Sequence, residues 1–176
     1  MNPQDITLIS FGYFDNNFLT KVVENVRHQY TCNVFLREGH FDLSDFYDAA
    51  RRQYDANRIL LEVEKNFSAD TCKTIGLFNV DLFIPIFTYI FGQAYLGGRS
   101  GIASLFRLSN ERYGIAADND LLIERFSKEI IHELGHNYNL IHCHVPDCVM
   151  ISGSYVEDID QKTASFCASC RSKLMM

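Results

Sequence analysis

The segment 132–170 constrains this chain more than any other stretch: it reads HELGHNYNLIHC, then Cys148-Val149-Met150, then Cys167-Ala168-Ser169-Cys170. His132 and His136 are four apart, so on a helix their imidazoles stand one turn above the other on one face, close enough to share an ion. His142 follows six residues later. It cannot continue that face, and it reaches the same ion only if the helix stops and the chain turns back. Three histidines leave one position of a tetrahedral zinc open, the arrangement in which bound water has its pKa lowered to about 7 and becomes a nucleophile. Glu133, beside the first histidine, is placed to take that water's proton. The histidine pair alone is a modest signal, because an ordinary helix can carry it for surface or core hydrogen bonding. Its coincidence with a glutamate, a third histidine and two cysteine pairs is not ordinary.

Cys143, Cys148, Cys167 and Cys170 form C-x4-C and C-x2-C pairs separated by eighteen residues, the pattern of two short knuckles converging on one ion. Four thiolates close a zinc site, so this second site cannot activate water and has a structural role: the chain after the histidine helix is too short to bury a core of its own. Cys143 directly follows His142, which couples the two sites through the backbone. The rival reading is two disulfides, which requires an oxidising compartment. The N-terminal MNPQDITLISFGYF has no basic residue before its apolar run and gives no sign of an export signal. Cys32 and Cys72 have no metal-like spacing and are expected to be small buried thiols. His144, His28 and His40 are expected to face solvent or lack a partner.

This segment resembles the zinc-binding signature of the archaemetzincins, within the metzincin clan of zinc peptidases. The resemblance rests on His132, Glu133, His136, His142, Cys143, Cys148, Met150, Cys167 and Cys170. It implies that the three histidines hold catalytic zinc, that Glu133 is the general base, and that the four cysteines hold structural zinc. It also implies that Met150 forms an apolar floor beneath the imidazoles, the Met-turn; spacing alone favours a core filler there. One departure is Asn139, where the clan has glycine in a left-handed turn. Asparagine visits that region more readily than other non-glycine residues, so the turn is expected to survive at a cost of at most about 1 to 2 kcal/mol. A second departure is Ser152, where some metzincins place a tyrosine. Tyr155 lies nearby, with a half-buried ring as its plainest role.

With 176 residues and 47% hydrophobic content, the chain reads as one domain with a sizeable core. The longest apolar-rich stretch, 77–96, is interrupted by Asn79, Asp81, Pro85 and Gln93, which argues against a membrane span. A net charge of −6 and the lack of any basic run argue against nucleic acid as the main partner. Strands are expected at 6–12, 32–37, 76–84, 89–96 and 102–108. Helices are expected at 15–30, 43–52 and 56–67, with the histidine helix at 119–139. In that last helix Leu122, Phe126, Ile130 and Leu134 form the apolar face, and Asp118, Asn119 and Asp120 offer capping oxygens.

These readings give an α/β (α+β) fold that resembles the metzincin layout: a twisted mixed five-stranded sheet, a backing helix, the zinc helix, and a small C-terminal zinc-stapled subdomain. The whole chain, 1–176, is expected to be one catalytic domain, with an upper subdomain 1–139 and a lower subdomain 140–176. By the same resemblance the 89–96 strand is the sheet's edge above the zinc, where a peptide docks by backbone pairing at Ala94 and Tyr95. The expected function is zinc-dependent hydrolysis of peptide bonds with two Zn2+ per chain, one catalytic and one structural. The alternative is a zinc-stabilised peptide-binding protein with little turnover. The expected partners are peptide or protein substrates, without nucleic acid or membrane, for a monomer in the cytoplasm.

Overall fold

A computed structural model describes residues 4–174; the ends of the expected 1–176 domain lie outside the described residues. Its centre is a five-stranded mixed sheet built from β1 (Asp5–Phe11), β2 (Val34–Gly39), β5 (Cys72–Phe78), β8 (Ser100–Ser104) and β7 (Gly92–Ala94), in the order β2-β1-β5-β8-β7. The first four strands are parallel. Only β7 runs antiparallel, pairing Gly92 with Ala103 and Ala94 with Gly101, and it forms one edge.

The central strands are buried on both faces, because helices cover both. One face of the sheet, with Ile6, Leu8, Ile75 and Leu77, packs on α1 (Asn16–Tyr30) and α3 (Asn119–Asn137). The other, with Ile9, Phe11, Phe78 and Ile102, packs on α2 (Ala56–Asn66). Each of these helices starts on an aspartate. Asp15, Asp55 and Asp118 accept backbone N–H groups of the first turn, worth about 1 kcal/mol each. Two short helices, α4 (Val156–Gln161) and α5 (Ala168–Leu174), complete the chain. The Arg125 side chain donates to both Asp160 oxygens at 2.6 Å, fastening α3 to α4, and Arg171 reaches Gln29 Oε1 at 2.8 Å, fastening α5 to α1.

Several expected elements differ in extent. The helix expected at 43–52 is a single 3-10 turn, Leu43–Phe46, followed by a hairpin of β3 (Tyr47–Asp48) and β4 (Gln53–Asp55). Asp48 accepts the Arg51 N–H at 3.0 Å and Arg52 takes φ 58°, so the chain turns there instead of coiling. β4 in turn pairs with β6 (Leu82–Phe83), the remnant of the expected 76–84 strand. Ser104 Oγ bonds both the N–H and the carbonyl of Val80, which bends the chain between β5 and β6. The expected 89–96 strand contracts to β7, because Ile90 N–H goes to Leu82 and residues 95–98 turn back. Strand 102–108 becomes Ser100–Ser104, closed by a turn in which Leu108 N–H bonds Leu105.

Candidate metal centres and cleft

Helix α3 ends where the histidines need it to. Asn139 adopts φ 66°, the left-handed conformation expected of it. Its N–H bonds the His136 carbonyl and the next N–H, of Leu140, bonds Gly135, the paired bonds of a Schellman turn. That turn brings the Leu140 carbonyl 2.7 Å from His136 Nδ1. The His132 Nδ1 lies 2.8 Å from the carbonyl of Val149, in the segment that returns beneath the helix. A carbonyl can only accept, so both imidazoles carry their hydrogen on Nδ1 and expose the lone pair on Nε2.

Those two Nε2 atoms lie 3.1 Å apart. The ring of His142 joins them at 5.3 Å from His132 and 5.0 Å from His136, centre to centre, and the three ligand atoms fall within 4.8 Å of one another. Lone pairs aimed at one point repel unless a cation separates them. Nitrogens about 2.0 to 2.1 Å from a tetrahedral zinc sit ~3.3 Å apart, close to the spacing found. Burial lowers the pKa of His132 well below its usual 6.5, and those of His136 and His142 also fall, chiefly by desolvation. The neutral, metal-binding form is therefore the one the fold favours.

Met150 is fully buried under this group, and a Cβ on Gly135 would overlap its sulfur. Glycine within a helix costs about 1 kcal/mol relative to alanine, and here it is what lets the methionine sit against the helix. Glu133 is also buried, and its Oε2 has no hydrogen-bond partner among the described residues. Above it lies Gly92 of β7: a Cβ there would stand 2.8 Å from both Glu133 Cγ and Oε1. Burial first, and then the neighbouring Glu129 carboxylate, push the Glu133 pKa well above the ordinary range. Lys162, itself buried, supplies positive charge on the inner side. Its ammonium donates to the Ile151 carbonyl at 3.2 Å and lies 3.5 Å from His132 Nδ1.

The three histidines, Glu133 and Glu129 line a cleft of about 450 Å³ between the 87–94 segment above and residues 152–155 below. Ala94 lines it. Tyr95 does not, and its backbone is already engaged: its N–H bonds Ser100 and its carbonyl takes Asn137 Nδ2 and the Gly98 N–H. Phe91, too, bonds β8 through its carbonyl, so alternate residues point inward and Gly92 and Ala94 present their N–H and C=O at the free edge.

The four cysteines form a second cluster with sulfurs within 4.8 Å of one another. All are free thiols, and Cys143 Sγ and Cys167 Sγ are 3.8 Å apart. That is nearly twice a disulfide bond length, yet sulfurs about 2.3 Å from a tetrahedral zinc would be ~3.8 Å apart. Backbone N–H groups of Val145, Cys167 and Cys170 point at the sulfurs of Cys143, Cys148 and Cys167 respectively, at 3.4 to 3.5 Å. The bond from Cys170 is the main reason the Cys167 thiol is drawn down to about 7. Such donors favour thiolates, the form that binds metal. Cys143 N–H also bonds the Met150 carbonyl at 2.9 Å, which links this cluster to the methionine under the histidines. His144, His28 and His40 are exposed, and Cys32 and Cys72 are half-buried; all lie outside both clusters.

Sequence reasoning did not reach Gly92, Glu129, Gly135 or Lys162. A mid-helix glycine inside HELGH was a readable sign of close packing, whereas Gly92, Glu129 and Lys162 carried no local signal.

Comparison with known proteins places this architecture. The profile of peptidase family M54 matches residues 11–176. An archaemetzincin of Pyrococcus horikoshii is 42% identical over 142 residues, covering 77% of this chain and 74% of that protein. The crystal structure of a zinc-dependent peptidase from Methanocorpusculum labreanum superposes with a TM-score of 0.87 at 30% identity, over 96% of this chain and 99% of that one. The archaemetzincin structure from Methanopyrus kandleri gives 0.85 at 28% identity, over 99% and 94%.

Proposed function

This chain belongs to peptidase family M54, the archaemetzincins, and on that premise we propose how its residues carry out zinc-dependent hydrolysis of peptide bonds. The observation that carries the reading is the trio of His132, His136 and His142, their ligand atoms within 4.8 Å in a cleft shared with Glu133. These three residues hold the catalytic zinc, and Cys143, Cys148, Cys167 and Cys170 hold a second, structural one. Zinc in the histidine site supplies Lewis-acid polarisation of the scissile carbonyl and a lowered pKa for water. Glu133 takes the proton of the attacking water and passes it to the leaving amine; its place in the cleft beside the three histidines puts it within reach of both groups. Val149 and Leu140 keep the imidazoles in the required tautomer, and Met150 packs beneath them.

The peptide pairs with the free edge of β7, where Gly92 and Ala94 offer backbone groups; Tyr95 acts by tying that edge to β8. The 1–176 domain works as a single catalytic unit in which 1–139 supplies the upper lip and 140–176 the lower. Among the described residues no helix is long and apolar enough to cross a membrane. The free thiols support a cytoplasmic location, since thiols persist in reducing compartments, and the net charge of −6 disfavours nucleic acid. We take the protein to act as a monomer, since the cleft is formed within one chain.

The test is a peptide-library cleavage assay on zinc-loaded wild type and Glu133→Ala. The variant should keep its metal and fold yet lose at least the roughly 10²- to 10⁴-fold typical of a general acid–base group. Undiminished cleavage by the variant would remove Glu133 from the mechanism, and a wild type that cleaves nothing would favour binding without turnover.

A further inference from the structure

Contacts fix the order of groups along the cleft. Glu133 lies under Gly92, and the His136 carbonyl accepts the N–H of Gly97 at 2.8 Å. Helix α3 and β7 therefore run side by side in one direction, with the reacting centre beneath Gly92 and Ala94. Three residues before Gly92, the hydroxyl of Tyr89 donates to the Ser154 carbonyl at 3.0 Å. This bond joins the upper lip to the lower. Tyr89 is half-exposed and Ser154 exposed, so the bond spans the mouth of the cleft.

Both ends of the bridge are braced. The Arg107 guanidinium lies 4.4 Å over the Tyr89 ring and is held by Asp81, whose Oδ1 accepts from Nε at 2.8 Å. Asp158 accepts the N–H groups of Ser154 and Tyr155 at 2.8 and 2.9 Å. At the other end, among the described residues, no hydrogen bond joins residues 94–98 to residues 140–146, and Leu96 and Ile141 stand exposed.

We propose that Tyr89 is a specificity-determining residue that closes one end of the cleft, so that the enzyme cleaves bonds close to the carboxyl terminus of its peptide substrates. This rests on the reading of β7 as the docking edge. Antiparallel pairing is the more stable of the two orientations. A peptide added that way runs opposite to β7, with its amino-terminal part leaving past Ala94 and its carboxyl end meeting Tyr89. Backbone pairing ends at Gly92, because the Ile90 N–H is taken by Leu82. From Gly92 back to Tyr89 the chain covers about 10 Å at ~3.3 Å per residue, which leaves room for about two or three substrate residues, no longer paired to the edge, beyond the scissile bond.

The test uses one peptide sequence fused to a small folded domain at its amino end, at its carboxyl end, or at neither. Binding to zinc-loaded Glu133→Ala is followed by fluorescence anisotropy, and cleavage products of the zinc-loaded wild type by mass spectrometry. The amino-fused and free peptides should bind alike and the carboxyl-fused one at least tenfold more weakly. Products should be cut within about three residues of the carboxyl end. Tyr89→Ala should bring the carboxyl-fused peptide to within about twofold of the free one. Tyr89→Phe, which keeps the ring and loses only the bond to Ser154, should recover at least threefold and carries the test if the alanine variant fails to fold. Equal binding of the two fusions, cleavage in the middle of long peptides, or a folded Tyr89 variant with unchanged preference overturns the proposal. Asymmetric binding without any cleavage leaves the bridge standing and refutes the peptidase reading instead.

Discussion

The histidine cluster and the cysteine cluster each bring their ligand atoms within 4.8 Å, but they are assembled in opposite ways. Each cysteine sulfur that receives a backbone N–H receives it from the cysteine stretches themselves: Val145 donates to Cys143, Cys170 to Cys167, and Cys167, from the other pair, to Cys148. The cysteine cluster is made by its own knuckles. The histidines draw on chain outside their own helix: His136 is oriented locally, by the turn that requires Asn139 at φ 66°, but His132 is oriented by Val149 and their floor is Met150. Glu133 also needs the absence of a side chain at Gly92, on the opposite side of the cleft. A site built to be open at one position is held by the whole fold, whereas a closed site is held locally, and the contact from Cys143 to Met150 makes the first depend on the second.

The largest effect should come from breaking that dependence. Cys170→Ser removes a ligand from the local site, and structural zinc contributes about 10 to 16 kcal/mol in small zinc-binding peptides. We expect the melting temperature to fall steeply and zinc to be lost from both clusters, as read by calorimetry and elemental analysis. His136→Ala should lose only one zinc and lower the melting temperature much less. Equal, mild effects of the two substitutions would show that the cysteines do not support the histidines.

Gly135→Ala strikes the interface between helix and methionine. The added methyl collides with Met150, and overpacking of this kind costs about 1 to 3 kcal/mol, only partly offset by alanine's better helix propensity of about 1 kcal/mol. Cleavage should drop while the cysteine-site zinc stays, checked by metal content and denaturant melts. A smaller effect is expected from Asn139→Val. A β-branched residue in the left-handed region should cost about 1 to 2 kcal/mol and weaken zinc at the histidines alone, which competition with a chromogenic chelator would read. Unchanged chelator competition would mean that the turn does not position His142.

The parts of the molecule that were legible in the sequence are those whose cause is local. Asp15 and Asp118 marked helix starts, the run Phe126, Ile130, Leu134 marked the buried face of α3, and asparagine at 139 was recognisable as tolerating the turn. The illegible parts have distant causes. The 43–52 segment carries helix-compatible residues, yet it is drawn into a hairpin that pairs with Leu82–Phe83, and the edge strand shrinks to three residues because Ile90 bonds Leu82. At the site, the ligand atoms follow from spacing, but Lys162 and Gly92 matter only through neighbours far along the chain, Ile151 and Glu133.

The most direct test of this difference between the clusters is graded zinc removal from the purified protein, with bound metal, cleavage and circular dichroism followed together. We expect two zinc ions per chain, the first leaving at moderate chelator strength with loss of cleavage and an intact fold, the second leaving only under stronger chelation and taking the lower part of the structure with it. A single zinc per chain, or two that leave together with the fold, would contradict it.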